Sequence, residues 1–308
     1  MRTYFAALVL FLGGAGVLTG ALPAQTSLPA PLAQPINELE TRLTQPGAQK
    51  DGEAWWRLAM LQQDAAQYHD AQRSYLRAIS LLEAGDAETL ANALDSAGTM
   101  YVETGDYAQA ELLELRALGL REAGNDSVGE GVSWMHLAML SLGRHETVAA
   151  VRYAEMARER LVDAKPASGA DATPVEKMTA LAYLGIALCA DGRGARAIAP
   201  IEEAHRMAVA QGGEAGEFSA GYLDFLLGYA WWHAGETAKA GRLMKSGTAA
   251  MEARLGFGHP TYVAALKEYR NFLEQSGDLV GAAAVRARLA QIQPPAQMAS
   301  AAAGEVGR

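Results

Sequence analysis

Apolar side chains return at intervals of three and four residues over most of the chain between residues 51 and 292. That spacing gathers them on one stripe of an α-helix. β-branched residues never collect into alternating runs, so nothing in the pattern asks for a sheet. The expected fold class is all-α. Small residues punctuate the pattern, and six segments align on them. Trp55-x2-Leu58-Ala59 leads to Ala71, Tyr75 and Ala78, and Leu94-x2-Ala97-Gly98-x2-Tyr101 leads to Gly105, Ala110 and Ala117. Trp134-x2-Leu137-Ala138 is followed by Ala150, Ala154 and Ala157, and Leu181-x2-Leu184-Gly185-x2-Leu188 by Gly192, Ala197 and Ala204. Asp224-x2-Leu227-Gly228-x2-Trp231 precedes Gly235 and Ala240, and Leu266-x2-Tyr269 precedes Gly277 and Ala282.

The residue types have a packing reason. Two antiparallel helices in close contact need small side chains where their axes approach, which predicts Gly98, Gly185 and Gly228 opposite Ala110, Ala197 and Ala240. Gly105, Gly192, Gly235 and Gly277 fall where a first helix must stop and turn. Successive segments begin 39, 40, 47, 43 and 42 residues apart.

This signature resembles the tetratricopeptide repeat (TPR) family, whose common unit is about 34 residues. The longer steps, and the turn Gly256-Phe257-Gly258-His259-Pro260, are similar to the kinesin-light-chain-like long-repeat subclass. The resemblance implies a right-handed superhelix (α-solenoid) of about six antiparallel helix pairs. Repeats are expected near 51–86, 87–126, 129–163, 174–212, 216–256 and 260–292, together a domain over 51–292. It further implies a protein-binding scaffold with a concave groove. There are departures: Asp224 stands where a bulky residue is expected, Gly247 replaces a later Ala, and Arg270 takes a small position. Pro200 falls inside a second helix, where it predicts a bend. The extra length before the fourth repeat, from Lys165-Pro166 to Thr173-Pro174, is expected to be a mobile loop.

The ends differ from the body. Met1-Arg2-Thr3 precedes an uncharged stretch from Tyr4 to Ala24 with its apolar centre at Phe5 to Leu12. These are the parts of a secretory signal peptide, expected at 1–24. The mature chain is then exported, periplasmic or secreted. An uncleaved N-terminus would instead make a membrane anchor facing outside the cytoplasm. Residues 25–50 are expected to be an extended, proline-rich leader and a short capping helix, with Pro35 at its first position and Ile36, Leu39 and Leu43 as its stripe. Leu279, Ala282, Ala283, Leu289 and Ile292 are expected to form the apolar face of the last helix, and 293–308 a disordered tail.

The net charge is −9, which repels phosphate backbones and excludes nucleic acid as an expected partner. The single cysteine, Cys189, sits in an apolar run and reads as a small buried hydrophobe. None of the six histidines has the single-helix spacing of a zinc site, and no phosphate loop or GxSxG is present. Acidic pairs such as Glu202-Glu203 are expected on solvated faces. No metal, no cofactor and no catalytic residues are therefore expected. Positions one beyond the packing residues should point into the groove of first helices. They are Tyr222, Phe225, Tyr229 and Trp232 in the fifth repeat, Met135 and Met139 in the third, and Ile186 in the fourth. Four aromatic rings could present on the order of 600–1,000 Å², more than the roughly 300–600 Å² that monomers usually leave open. A protein or peptide partner, a second copy in a homodimer, or the chain's own tail or leader is the expected cover.

Overall fold

The computed structural model describes residues 30–65, 67–164, 171–257 and 259–292. The expected signal peptide, the first part of the leader, the tail, and residues 165–170 of the expected loop lie outside the described residues. Among those described, all regular structure is helical. The elements are α1 (Ala30–Leu43), α2 (Gly52–Asp64), α3 (Tyr68–Leu82), α4 (Ala87–Thr104), α5 (Tyr107–Gly124), α6 (Ser127–Gly143) and α7 (Thr147–Arg158). After a π-helical turn, Glu159–Asp163, come α8 (Pro174–Ala190), α9 (Gly194–Gln211), α10 (Gly213–His233), α11 (Thr237–Leu255), α12 (Pro260–Ser276) and α13 (Leu279–Ile292). The described helices fall into two compact units, one ending at Gly192 and one beginning at Arg193. In the first unit α2 pairs with α3, α4 with α5, and α6 with α7; in the second α10 pairs with α11 and α12 with α13. The all-α architecture of antiparallel pairs expected from the periodicity is the one the chain adopts.

Turn chemistry sets the element ends. Gly105 and Gly277 take left-handed φ values of 82° and 83° at the ends of α4 and α12, a conformation that costs a residue with a Cβ about 1–2 kcal/mol. The next residue in each case is an aspartate that starts the following helix. Asp106 accepts from the Gln109 amide and Asp278 from the Gly281 amide, which satisfies donors that the first turn leaves open. Asp51, Asp86 and Asp126 cap α2, α4 and α6 in the same way. Thr173 and Glu176 form a reciprocal capping box on α8. The Gly-x-x-His-Pro turn has a local reason too: the Nδ1 of His259 accepts the Thr261 amide, and Pro260 follows in the first turn of α12.

Three expectations need correction. The leader helix α1 begins at Ala30, so Pro35 lies inside it; its Ile36 and Leu43 do pack on Ala54 and Leu58 of α2. The buried stripe of α13 is Ala282, Val285 and Leu289, whereas Leu279 is exposed and so is Ala283. Pro200 lies inside α9, as expected. Gly228 does face the backbone carbonyl of Ala240, together with Met244. The nearest atoms to Gly98, however, belong to the Glu114 side chain one turn beyond Ala110. Gly98 is small because a carboxylate, not a methyl group, fills the space above it. Among the described residues no helix is long and apolar enough to cross a membrane.

Candidate functional site

Six of the seven residues expected in the groove are buried. Met135 and Met139 on α6 and Ile186 on α8 are buried in the first unit, and Tyr222, Phe225 and Tyr229 on α10 in the second. Only Trp232 is half-buried. Phe225 is fully buried. It faces α11, where a Cβ built on Gly247 would lie 2.6 Å from the Phe225 Cβ. That contact accounts for the missing alanine at 247: the Phe225 Cβ and the α10 backbone leave no room for a methyl group.

Two other aromatic residues of α10, Tyr229 and Trp232, gather toward α12. The Tyr229 ring lies 4.5 Å from His233 and meets Trp232 edge-on at 5.7 Å. Trp232 in turn meets Phe272 of α12 edge-on at 5.7 Å, and Phe272 stacks on Tyr269 at 6.2 Å. Burial holds the His233 imidazole below its ordinary pKa, so the cluster stays neutral and apolar near neutral pH. Next to it, Lys239 stands 4.0 Å over the face of Trp231, a cation–π contact. These are aromatic planes in edge-to-face and offset order, with one indole partly open to solvent.

Asp224, the departure from the repeat pattern, has a polar reason. Its Oδ1 lies 3.1 Å from Nε2 of His205 on α9, and its Oδ2 accepts from Ser246 of α11 at 3.3 Å. Serine, carboxylate and imidazole thus meet, but in the wrong order for nucleophilic catalysis. The hydroxyl points at the carboxylate rather than at the imidazole that would have to take its proton.

A second polar cluster lies in the first unit and was not foreseen. Asp95 on α4, Glu114 and Arg121 on α5, and His136 on α6 converge, with side chains 8%, 1%, 4% and 13% exposed. Arg121 Nη2 is 2.5 Å from Asp95 Oδ2 and donates to Asn92 Oδ1 at 2.9 Å, while Nη1 donates to Ser133 Oγ at 2.6 Å. His136 Nδ1 is 3.3 Å from Glu114 Oε2 and 3.8 Å from Asp95 Oδ1. Two buried oxygens, Asp95 Oδ1 and Glu114 Oε1, have no hydrogen-bond donor among the described residues. Burial opposes ionisation of Asp95, but the His136 and Arg121 cations outweigh it and lower its pKa. Burial pushes Glu114 up to about 8, only partly offset by His136 and reinforced by the Asp95 charge. Burial also works against the imidazolium of His136, yet the two carboxylates overcome it and raise the pKa to about 10. Elsewhere, Cys189 is buried and its thiol is pushed up to about 12 by that burial, in keeping with a packing role.

No family model matches the chain, and no curated protein matches it significantly in sequence. Solved structures do match. A kinesin light chain of nearly identical TPR-like repeats from Podosopora anserina superposes with a TM-score of 0.52 at 15% identity, over 66% of this chain and 96% of its own. The apo form of RapI gives 0.67 at 12% identity, covering 84% of this chain and 89% of its own. BtubC (BKLC) from P. vanneervenii gives 0.57 at 17% identity, covering 74% and 91%. At these identities the likeness is one of fold, and the fold is that of TPR-like repeat proteins.

Proposed function

We propose that this TPR-like repeat chain is an exported, non-catalytic scaffold that binds a protein partner along its first helices, with the aromatic cluster of α10 and α12 as the anchor. The observation that carries the reading is Trp232: a large ring held edge-on by Tyr229 and Phe272 yet only half-buried. Preorganised aromatic residues with one open edge are the usual energetic centre of a protein interface. Tyr229 supports that ring edge-on, while Tyr222 and Phe225 are buried in the same unit and Met135, Met139 and Ile186 in the first. The Asp224 arrangement favours a non-catalytic reading, because it joins Ser246 and His205 through a carboxylate. Export is supported by the positive start and uncharged apolar stretch of residues 1–24, and the acidic charge of −9 disfavours nucleic acid.

The test places a photo-crosslinking amino acid next to Trp232 in the native envelope and compares Trp232→Ala. Crosslinks to one partner are expected, and the alanine variant should lose at least tenfold in yield with unchanged far-UV circular dichroism. A folded Trp232→Ala variant that captures the partner undiminished would overturn the reading. Crosslinks only to itself would make the surface a homodimer interface, and an intact N-terminal mass would make the chain a membrane-tethered adaptor.

A further inference from the structure

We infer that Asp95, Glu114 and His136 form a binding site for one divalent transition-metal ion of the zinc class, which joins α4, α5 and α6 across two successive repeats. The donor set is right for such an ion: one imidazole nitrogen and two carboxylate oxygens. One ligand atom from each of the three residues can be chosen so that all lie within 4.8 Å of one another. Tetrahedral coordination with bonds of about 2.0–2.1 Å sets ligand atoms about 3.3–3.5 Å apart. His136 Nδ1 and Glu114 Oε2 stand at 3.3 Å already, and Nδ1 and Asp95 Oδ1 at 3.8 Å, so closure takes small side-chain rotations within a packed interior.

The unsatisfied oxygens point the same way. A single imidazolium Nδ1–H reaches one carboxylate oxygen at hydrogen-bond length, and Asp95 Oδ1 and Glu114 Oε1 are left without a donor. Buried acceptors of that kind normally have a partner, and a cation held through Asp95 Oδ1 supplies one there. Arg121 then acts as an orienting residue. It engages Asp95 through Oδ2 and is itself fixed by Ser133 and Asn92, which turns Oδ1 toward His136. Such outer contacts hold ligands in place in metal sites. Gly98 completes the fit, since any side chain there would collide with the Glu114 carboxylate.

Charge decides how the ion binds. With Glu114 ionised, a neutral imidazole leaves Asp95, Glu114 and Arg121 at one negative charge, and an imidazolium makes the four groups neutral. The metal therefore enters in place of the protons that His136 and Glu114 hold, which are released to solvent. The expectation of no metal, drawn from spacing along single helices, does not reach a site whose donors come from three helices.

The test uses the full chain, stripped with a chelator and titrated with Zn2+ and with Co2+ as a spectroscopic probe. One equivalent of Zn2+ is expected to saturate, with an apparent affinity that rises about tenfold per pH unit from pH 6 to 8 for each proton displaced. Co2+ should develop visible absorption, and X-ray absorption of the Zn2+ form should show one imidazole with oxygen ligands. His136→Gln and Glu114→Gln should each weaken binding at least tenfold while retaining helicity. If these variants unfold, the absorption spectra and the pH slope of the unmutated chain still decide. No saturable Zn2+ binding, an ion with no imidazole ligand, a pH-independent affinity, or unchanged binding by a folded His136→Gln variant would each overturn the site. The network would then hold a proton only.

Discussion

Phe225 and Gly247 meet across α10 and α11 so closely that a methyl group on Gly247 would also lie 2.6 Å from the Phe225 backbone nitrogen and 2.8 Å from the Gly221 carbonyl. Backbone atoms cannot step aside as a side-chain tip can. Gly247→Ala is therefore expected to lower stability by about 1–3 kcal/mol, even though alanine is the better helix former. Phe225→Ala removes a fully buried ring and should cost about 3–5 kcal/mol. Chemical denaturation of both variants checks this. A neutral Phe225→Ala would return that ring to the groove where the sequence pattern had placed it.

The buried cluster makes stability fall as pH rises. The folded chain raises His136 from 6.5 to about 10 and Glu114 from 4.5 to about 8. Both groups hold their protons more tightly in the folded network than in the unfolded chain. A raised pKa contributes stability that is complete below the unfolded value and disappears as pH passes through the folded one. For Glu114 that window runs from about 4.5 to 8, and for His136 from about 6.5 to 10. Asp95 has the opposite sign, because its pKa is lowered, and its contribution is lost at the acid end. The metal-free chain is expected to be less stable at pH 10 than at pH 7 by on the order of 1–3 kcal/mol. Urea denaturation at the two pH values measures it, and in a folded His136→Gln variant most of the difference should vanish.

How much of this was legible follows from where each signal lies. Helix ends were readable because their chemistry is local: Gly105-Asp106 and Gly277-Asp278 each contain a left-handed stop and a side-chain cap within two residues. The face of α10 was not. Its 21 residues are apolar on several sides, so a period of 3.6 cannot choose between Leu227 and Trp231, which are half-buried, and Phe225 and Tyr229, which are buried. The fold's third dimension decides that choice. Asp95 lies on α4, and Glu114 and His136 lie 19 and 41 residues further along the chain. Nothing local distinguishes a buried carboxylate from a solvated one until the helices are packed. The glycine at 98 was the one trace, and it was read as room for a methyl group.

The third repeat lacks the glycine that ends the first helix of its neighbours, and the backbone there shows the consequence. At the end of α6, His145 adopts φ 61°, the left-handed conformation that Gly105 takes after α4. The hydrogen bonds match as well. His145 donates to the Leu142 carbonyl and Glu146 to the Ser141 carbonyl, as Gly105 donates to Val102 and Asp106 to Tyr101. The same turn is thus built with a Cβ that crowds it, at a cost of about 1–2 kcal/mol for a left-handed residue. The His145 side chain is exposed, so its removal forfeits little packing. Glycine gains more freedom in the unfolded chain, which offsets part of the relief by about 0.4–1 kcal/mol. His145→Gly is expected to stabilise the chain by about 0.5–1 kcal/mol, the difference between those two effects. The denaturation midpoint in urea should rise at constant slope. A lower midpoint would mean that His145 makes a stabilising contact through its ring, and that the left-handed turn is held by more than its backbone.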